Sequence, residues 1–117
     1  MGVRRMHLGA FFMLPGQHAG AWRHPATNRE QLWNPDYLAE LARTAERGKF
    51  DLIFVADGLT AGYASPAFEH GARVTQFEPL TMFAYLAAVT EKIGFVATAS
   101  TTYNEPFNLA PQFASLD

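Results

Sequence analysis

The stretch Asp51-Leu-Ile-Phe-Val-Ala-Asp57-Gly58 decides the fold. Leu52 to Ala56 form an unbroken apolar run, the pattern of a strand covered on both faces inside a parallel sheet. Asp57 follows at the C-terminal end of that strand, and Gly58 frees the backbone to turn there. In parallel α/β architectures ligands bind at the carboxyl ends of the strands. Asp57 therefore reads either as a cap for the next loop or as a site residue.

Outward from this strand the same unit repeats on both sides. Upstream, His7-Leu-Gly-Ala-Phe-Phe-Met-Leu14 reads as a first strand, closed by the turn signal Pro15-Gly16 and followed by a polar and aromatic loop from Gln17 to Trp33. Asn34-Pro35 opens a helix: Asn34 accepts from the free N–H groups of the first turn, and Pro35 loses nothing there by lacking one. Leu38, Leu41, Ala42 and Ala45 define its apolar face, Arg43 and Arg47 suit its negative end, and Gly48 is a ready C-cap. Downstream, a long loop from Gly58 to Glu78 leads to a helix begun by Pro79, with Leu80, Phe83, Ala84 and Ala87 on one face and Lys92 at its close. Ile93 to Ala99 is a third strand, Ser100 to Glu105 a short loop, and Pro106 to Leu116 a third helix. Short joints from helix to strand and long ones from strand to helix predict an α/β fold with a parallel sheet whose working loops share one end.

Composition narrows the function. The 117 residues suit one domain, and 49% hydrophobic residues with ten Phe supply its core. A net charge of −2 with scattered basic residues favours neither nucleic acid nor an anionic membrane, and leaves a small molecule as the expected partner. No apolar run reaches the ~18 residues of a membrane span, and the stretch Leu8 to Leu14 is too short and too aromatic for a signal peptide. The absence of cysteine excludes disulfides and thiolate metal sites and fits a cytoplasmic protein. Three βα units cannot close a (β/α)8 barrel, which takes eight strands and about 250 residues. Residues 1–117 are thus expected to be the N-terminal part of a longer barrel; the alternative is a small open α/β domain whose exposed edge another chain covers.

The residues with chemistry to offer sit in the strand-to-helix loops. Thr98, Ser100, Thr101, Thr102 and Tyr103 follow the third strand, next to the expected position of Asp57, and their hydroxyls suit a polar heterocycle or a phosphoryl group. If Thr98 faces the interior, so do Gly94, Val96 and Ser100, with Phe95 and Ala97 against the helices. In the first loop, His18, Trp22, Arg23 and His24 combine an indole wall, a fixed cation and imidazoles, a set suited to an acidic or aromatic substrate. His18 and His24 lack the spacing and companions of a metal site, so no metal is expected, and His7 and His70 carry no assignable chemistry. There is no Gly-x-Gly-x-x-Gly, Walker motif or nucleophile elbow.

The chain resembles the N-terminal part of the bacterial-luciferase-like flavin monooxygenases, in the branch of nitrilotriacetate monooxygenase component A and dibenzothiophene-sulfone monooxygenase. The likeness rests on Met6-His-Leu-Gly-Ala-Phe-Phe, Gly20-Ala-Trp-Arg-His24, Ala45 to Asp57, Glu78-Pro79, Ala88 to Gly94, Ala97-Thr98, Ser100 to Tyr103 and Phe113 to Asp117, in that order and spacing. The resemblance implies a TIM barrel that takes reduced FMN from a separate flavin reductase and uses O2 to oxidise a small organic substrate. It implies flavin contacts at Asp57 and Thr98, with Ser100 and Thr102 beside the ring, and a homo-oligomer when complete. A deazaflavin-dependent oxidoreductase of the same superfamily, or a non-catalytic remnant acting as an interaction module, are the competing readings. Pro111 stands where the family usually has a basic residue in the third helix, and is expected to require that helix to begin just before it. The later strands that supply the family's phosphate site are not in the sequence, so the chain alone is expected to be inactive.

Overall fold

The computed structural model describes residues 4–18, 20–58 and 77–117. His70 and most of the second long loop lie outside these. Three parallel strands, β1 (Gly9–Phe11), β2 (Leu52–Val55) and β3 (Gly94–Ala97), form one sheet in the order β1-β2-β3. Gly9 is in register with Leu52, and Leu52 with Gly94. Helices α1 (Pro35–Arg47), α2 (Pro79–Ala87) and α3 (Pro106–Leu116) each begin on a proline.

The core lies between the sheet and the first two helices. Ile53 and Val55 point into it against Leu38, Ala39, Ala42 and Ala45 of α1 and Met82, Phe83 and Leu86 of α2. Phe83 stacks at 4.8 Å on Phe95, which confirms that Phe95 is on the helix side of β3. The opposite side differs from the expectation of a strand covered on both faces. Leu52 and Phe54 are half-buried, Phe11 packs on Phe54 at 4.9 Å, and Phe11 and Val96 remain 42% and 43% exposed. Among the described residues no second wall faces them, because a sheet of three strands stays open.

Several boundaries shift for physical reasons. β1 spans only Gly9–Phe11, since an edge strand has one partner to hold it, although Phe12 still donates to the Phe54 carbonyl at 2.9 Å. Asn34 caps α1 as expected, its Oδ1 accepting from Asp36 N at 2.9 Å. At the other end of α1 Gly48 is the C-cap as expected, its N–H donating to the Thr44 carbonyl at 2.9 Å, and the left-handed residue that follows is Lys49, with φ 62°. Gly48 serves close approach, because a Cβ there would lie 3.3 Å from the Thr44 and Ala45 carbonyls. α2 stops at Ala87, short of Lys92, and buries Met82, Phe83 and Leu86 while Ala84 is exposed. Pro111 lies inside α3, five residues past its start, rather than near its first turn. The carbonyl its missing N–H would have bonded belongs to Phe107, a residue 87% exposed, where water can take over.

Candidate functional site at the carboxyl ends of the strands

The parallel register brings the C-terminal ends of all three strands to one end of the sheet. A groove of about 670 Å³ opens there, bounded by β2, β3, α2 and α3. Asp57, Thr98 and Ser100 line it together, with Asn104, Gln112 and Ser115. Strand alternation sets Asp57 in phase with Ile53 and Val55 but Thr98 in phase with Gly94 and Val96. Both side chains nonetheless line this one groove, just past the ends of β2 and β3.

Each of these groups has a defined hydrogen-bonding state. The Thr98 hydroxyl donates to the Val55 carbonyl at 3.0 Å, so it faces a ligand as an acceptor. Asp57 Oδ1 accepts from Gly58 N at 2.7 Å. The Ser100 carbonyl accepts from both Asn104 N and Asn104 Nδ2, which closes the turn leading to α3. Thr102 is exposed in that turn and does not line the groove. Glu78, also on the groove wall, caps α2: its two carboxylate oxygens accept from Leu80 N at 2.9 Å and Thr81 N at 2.7 Å. Burial raises its pKa, but these bonds and one from the Thr81 hydroxyl outweigh burial and hold it below the usual carboxylate range. Among the described residues no Lys or Arg lines the groove.

The first loop forms a separate unit at the same end of the sheet. Trp22 lies in a short 3-10 turn, Ala21–Arg23, and the Arg23 and Arg29 guanidinium groups stack on its ring at 4.6 and 5.0 Å. His18 Nδ1 accepts from Gly20 N at 3.0 Å, and His24 Nδ1 from Ala26 N at 3.2 Å. Both imidazoles therefore brace local turns. None of these four loop residues lines the groove. Among the described residues there is no cluster of three or more His, Asp or Glu able to hold a metal ion. No described helix is long and apolar enough to cross a membrane.

The groove residues that the sequence reading does not single out are Thr81, Asn104, Leu109, Gln112 and Ser115. Gln112 and Ser115 share one face of α3 with Leu109 and Leu116, and that spacing was the available signal. Arg29 was likewise passed over, because nothing local marks a residue seven positions from Trp22 as its stacking partner.

Comparison with known proteins identifies the family and the fold. The luciferase-like monooxygenase family pattern matches residues 10–117. The chain belongs to that family. Among its relatives, the N-acetyl-S-(2-succino)cysteine monooxygenase of Bacillus subtilis (strain 168) is 50% identical over 97% of this chain and 25% of its own length. Nitrilotriacetate monooxygenase component A of Aminobacter aminovorans is 43% identical, again over 97% of this chain, and 27% of its length is covered. A riboflavin lyase, solved with modified FMN and riboflavin, superposes with a TM-score of 0.77 at 28% identity over 97% of this chain and 27% of its own. The chain thus spans about a quarter of the length of the relatives it matches. Within the luciferase-like fold, β1–α1, β2–α2 and β3–α3 are the first βα units of a TIM-barrel domain.

Proposed function

We propose that these residues form the flavin-ring side of a two-component monooxygenase, which takes reduced FMN from a separate flavin reductase and uses O2 on a small organic substrate. Residues 1–117 would be its N-terminal part. The observation that carries the reading is the single groove shared by Asp57, Thr98 and Ser100 at the carboxyl ends of adjacent parallel strands. The solved relative bound to modified FMN, and the relative named as component A, support the cofactor and the partner.

The groove, in its described lining, suits the ring of FMN. Its volume falls in the ~300–1,000 Å³ range of cofactor sites. It offers acceptors at Asp57 and Thr98 for the ring's N–H, and amide donors at Gln112 and Asn104 for its carbonyls. Among the described residues its lining includes no Lys or Arg to counter the charge of a phosphate. In this fold the phosphate is usually held by loops after the seventh and eighth strands, beyond the three present here. When bound, reduced flavin supplies the electrons that activate O2. The protein's share is positioning. Asp57 and Thr98 fix the ring edge, Leu80, Ala84 and Leu109 exclude water beside it, and the Glu78 cap anchors the α2 end of the wall.

The test is an anaerobic titration of reduced FMN into the full-length barrel carrying this chain and into its Asp57→Ala variant. Loss of a bond to a buried polar ligand amounts to roughly 1–3 kcal/mol, so affinity should fall by one to two decades while thermal stability barely moves. Equal affinity and equal turnover would reduce Asp57 to a loop cap. The chain alone, without the phosphate site, should bind FMN far more weakly than the full barrel.

A further inference from the structure

We propose that Thr98 makes the groove selective for the oxidation state of the flavin: its hydroxyl, held as an acceptor by β2, favours the reduced ring over the oxidised one. The proposal rests on the flavin site proposed for this groove and deepens it, by naming the residue that tells the two forms of the ring apart.

A threonine hydroxyl ordinarily donates or accepts as its surroundings ask, because its hydrogen rotates. At Thr98 that freedom is gone. Oγ1 lies 3.0 Å from the carbonyl oxygen of Val55, 43 residues away in sequence, and a carbonyl has no hydrogen to give in return. The hydroxyl hydrogen is therefore committed to β2, and the Thr98 N–H is directed at the same oxygen at 3.3 Å. What half-buried Thr98 offers the groove is a lone pair. Two further hydroxyls on the groove wall have the same polarity: Thr81 donates to the Glu78 carboxylate at 2.7 Å, and Ser115 to the Pro111 carbonyl at 2.6 Å. With the oxygens of Asp57 beside them, the described lining is weighted towards acceptors, and the Asn104 and Gln112 amides supply donors.

Acceptors call for N–H groups, and these are what distinguish the two forms of an isoalloxazine ring. The oxidised ring carries one, at N3. Reduction by two electrons adds a hydrogen at N5, where the oxidised ring has only a lone pair. The ring carbonyls are present in both forms, so the amides of Asn104 and Gln112 serve either one. Asp57 and Thr98 line the groove as separate acceptors, and a single N3–H cannot satisfy both. With the oxidised ring one of them is left facing a lone pair or nothing, whereas N5–H of the reduced ring completes the set. A Thr98 that only braced β3 against β2 would weaken both forms alike when removed.

Anaerobic calorimetry on the full-length barrel, with reduced FMN and with oxidised FMN, gives the two dissociation constants, and their ratio is the readout. Wild type should bind the reduced form more tightly. Thr98→Val and Thr98→Ala remove the acceptor and should lower the ratio by about tenfold, through weaker binding of the reduced form. For a two-electron couple that is a midpoint potential of the bound flavin about 30 mV more negative than in wild type, which a spectroelectrochemical titration reads independently. Thr98→Ser keeps the hydroxyl and should hold the ratio within about twofold of wild type. An unchanged ratio in the Val and Ala variants overturns the proposal, as do equal losses for the two forms, or a Ser variant as low as Val. In each of these outcomes FMN still binds, so the flavin reading stands while the selectivity assigned to Thr98 falls. Wild type that binds neither form overturns both.

Discussion

At the N-terminal end of the sheet the carboxylates fasten one element to another across more than forty residues of sequence, whereas at the C-terminal end Asp57 and Glu78 accept only from N–H and O–H groups close to them in sequence among the bonds described, and line a groove. Glu46, in the last turn of α1, accepts at one oxygen from three successive backbone N–H groups, Glu91, Lys92 and Ile93, at 2.9, 2.6 and 3.0 Å. Asp51 ties all three strands: its side chain accepts from Leu8 N at 2.7 Å, its N–H donates to the Leu8 carbonyl, and its carbonyl accepts from Gly94 N. At the other end, by contrast, Gln112 and the Arg23 and Arg29 pair have no protein carboxylate bound to them among the described residues. A barrel can divide its labour in this way because parallel strands place every helix-to-strand joint at one end and every strand-to-helix loop at the other. One end then holds the fold while the other is free to bind.

The largest effect should come from the core that both ends share. Phe83 is fully buried against Phe95, and Phe83→Ala should remove roughly 3–5 kcal/mol of stability. Because α2 also walls the groove, flavin affinity should fall with it. Denaturant unfolding and FMN titration on one preparation check this; a variant that loses stability but binds FMN normally would separate the groove from the core beneath it.

A smaller, one-sided effect is expected at the Glu46 clasp. Glu46→Gln leaves an uncharged acceptor facing three N–H donors and removes the attraction to the Lys92 charge. The thermal midpoint should drop by a few degrees with FMN affinity unchanged. If affinity falls as far as it does in Asp57→Ala, the division between the two ends is broken.

Much of this division is legible in the sequence. Pro35, Pro79 and Pro106 mark three helix starts, and the apolar runs at Leu52 and Ile93 mark strands that end at the site. What escapes is of three kinds. The helix Pro79–Ala87 is apolar nearly all round, so its sequence carries no phase from which to choose Met82 and Leu86 over Ala84 and Ala87 as the buried face. The Glu46 clasp closes over a separation of about 45 residues, and a lone Glu at a helix end gives no local sign of such a partner. The stacking of Arg29 on Trp22 depends on how an irregular loop closes, and irregular backbone has no period to read.

The smallest effect, and the finest test of the comparison, is the response to acid. Asp51 is held below its ordinary value of 3.8, first by the Leu8 N–H and then by the His7 imidazole at 3.2 Å; Glu46 is held below 4.5, first by the Lys92 N–H and then by that of Glu91. A depressed folded pKa means that the unfolded chain binds more protons below the ordinary value. The stabilisation is therefore complete above pH 4.5 for Glu46 and above 3.8 for Asp51, and is lost as the pH falls through each folded pKa. Urea midpoints taken downward from about pH 6 should fall along this limb, and Asp51→Asn and Glu46→Gln should each flatten part of it. Glu78 at the groove end is depressed as well, through its cap on α2, so Glu78→Gln is the matching control. A limb that Glu78→Gln flattens, and that the two N-terminal-end variants leave steep, would place the acid-sensitive fastening at the binding end of the sheet and reverse the comparison.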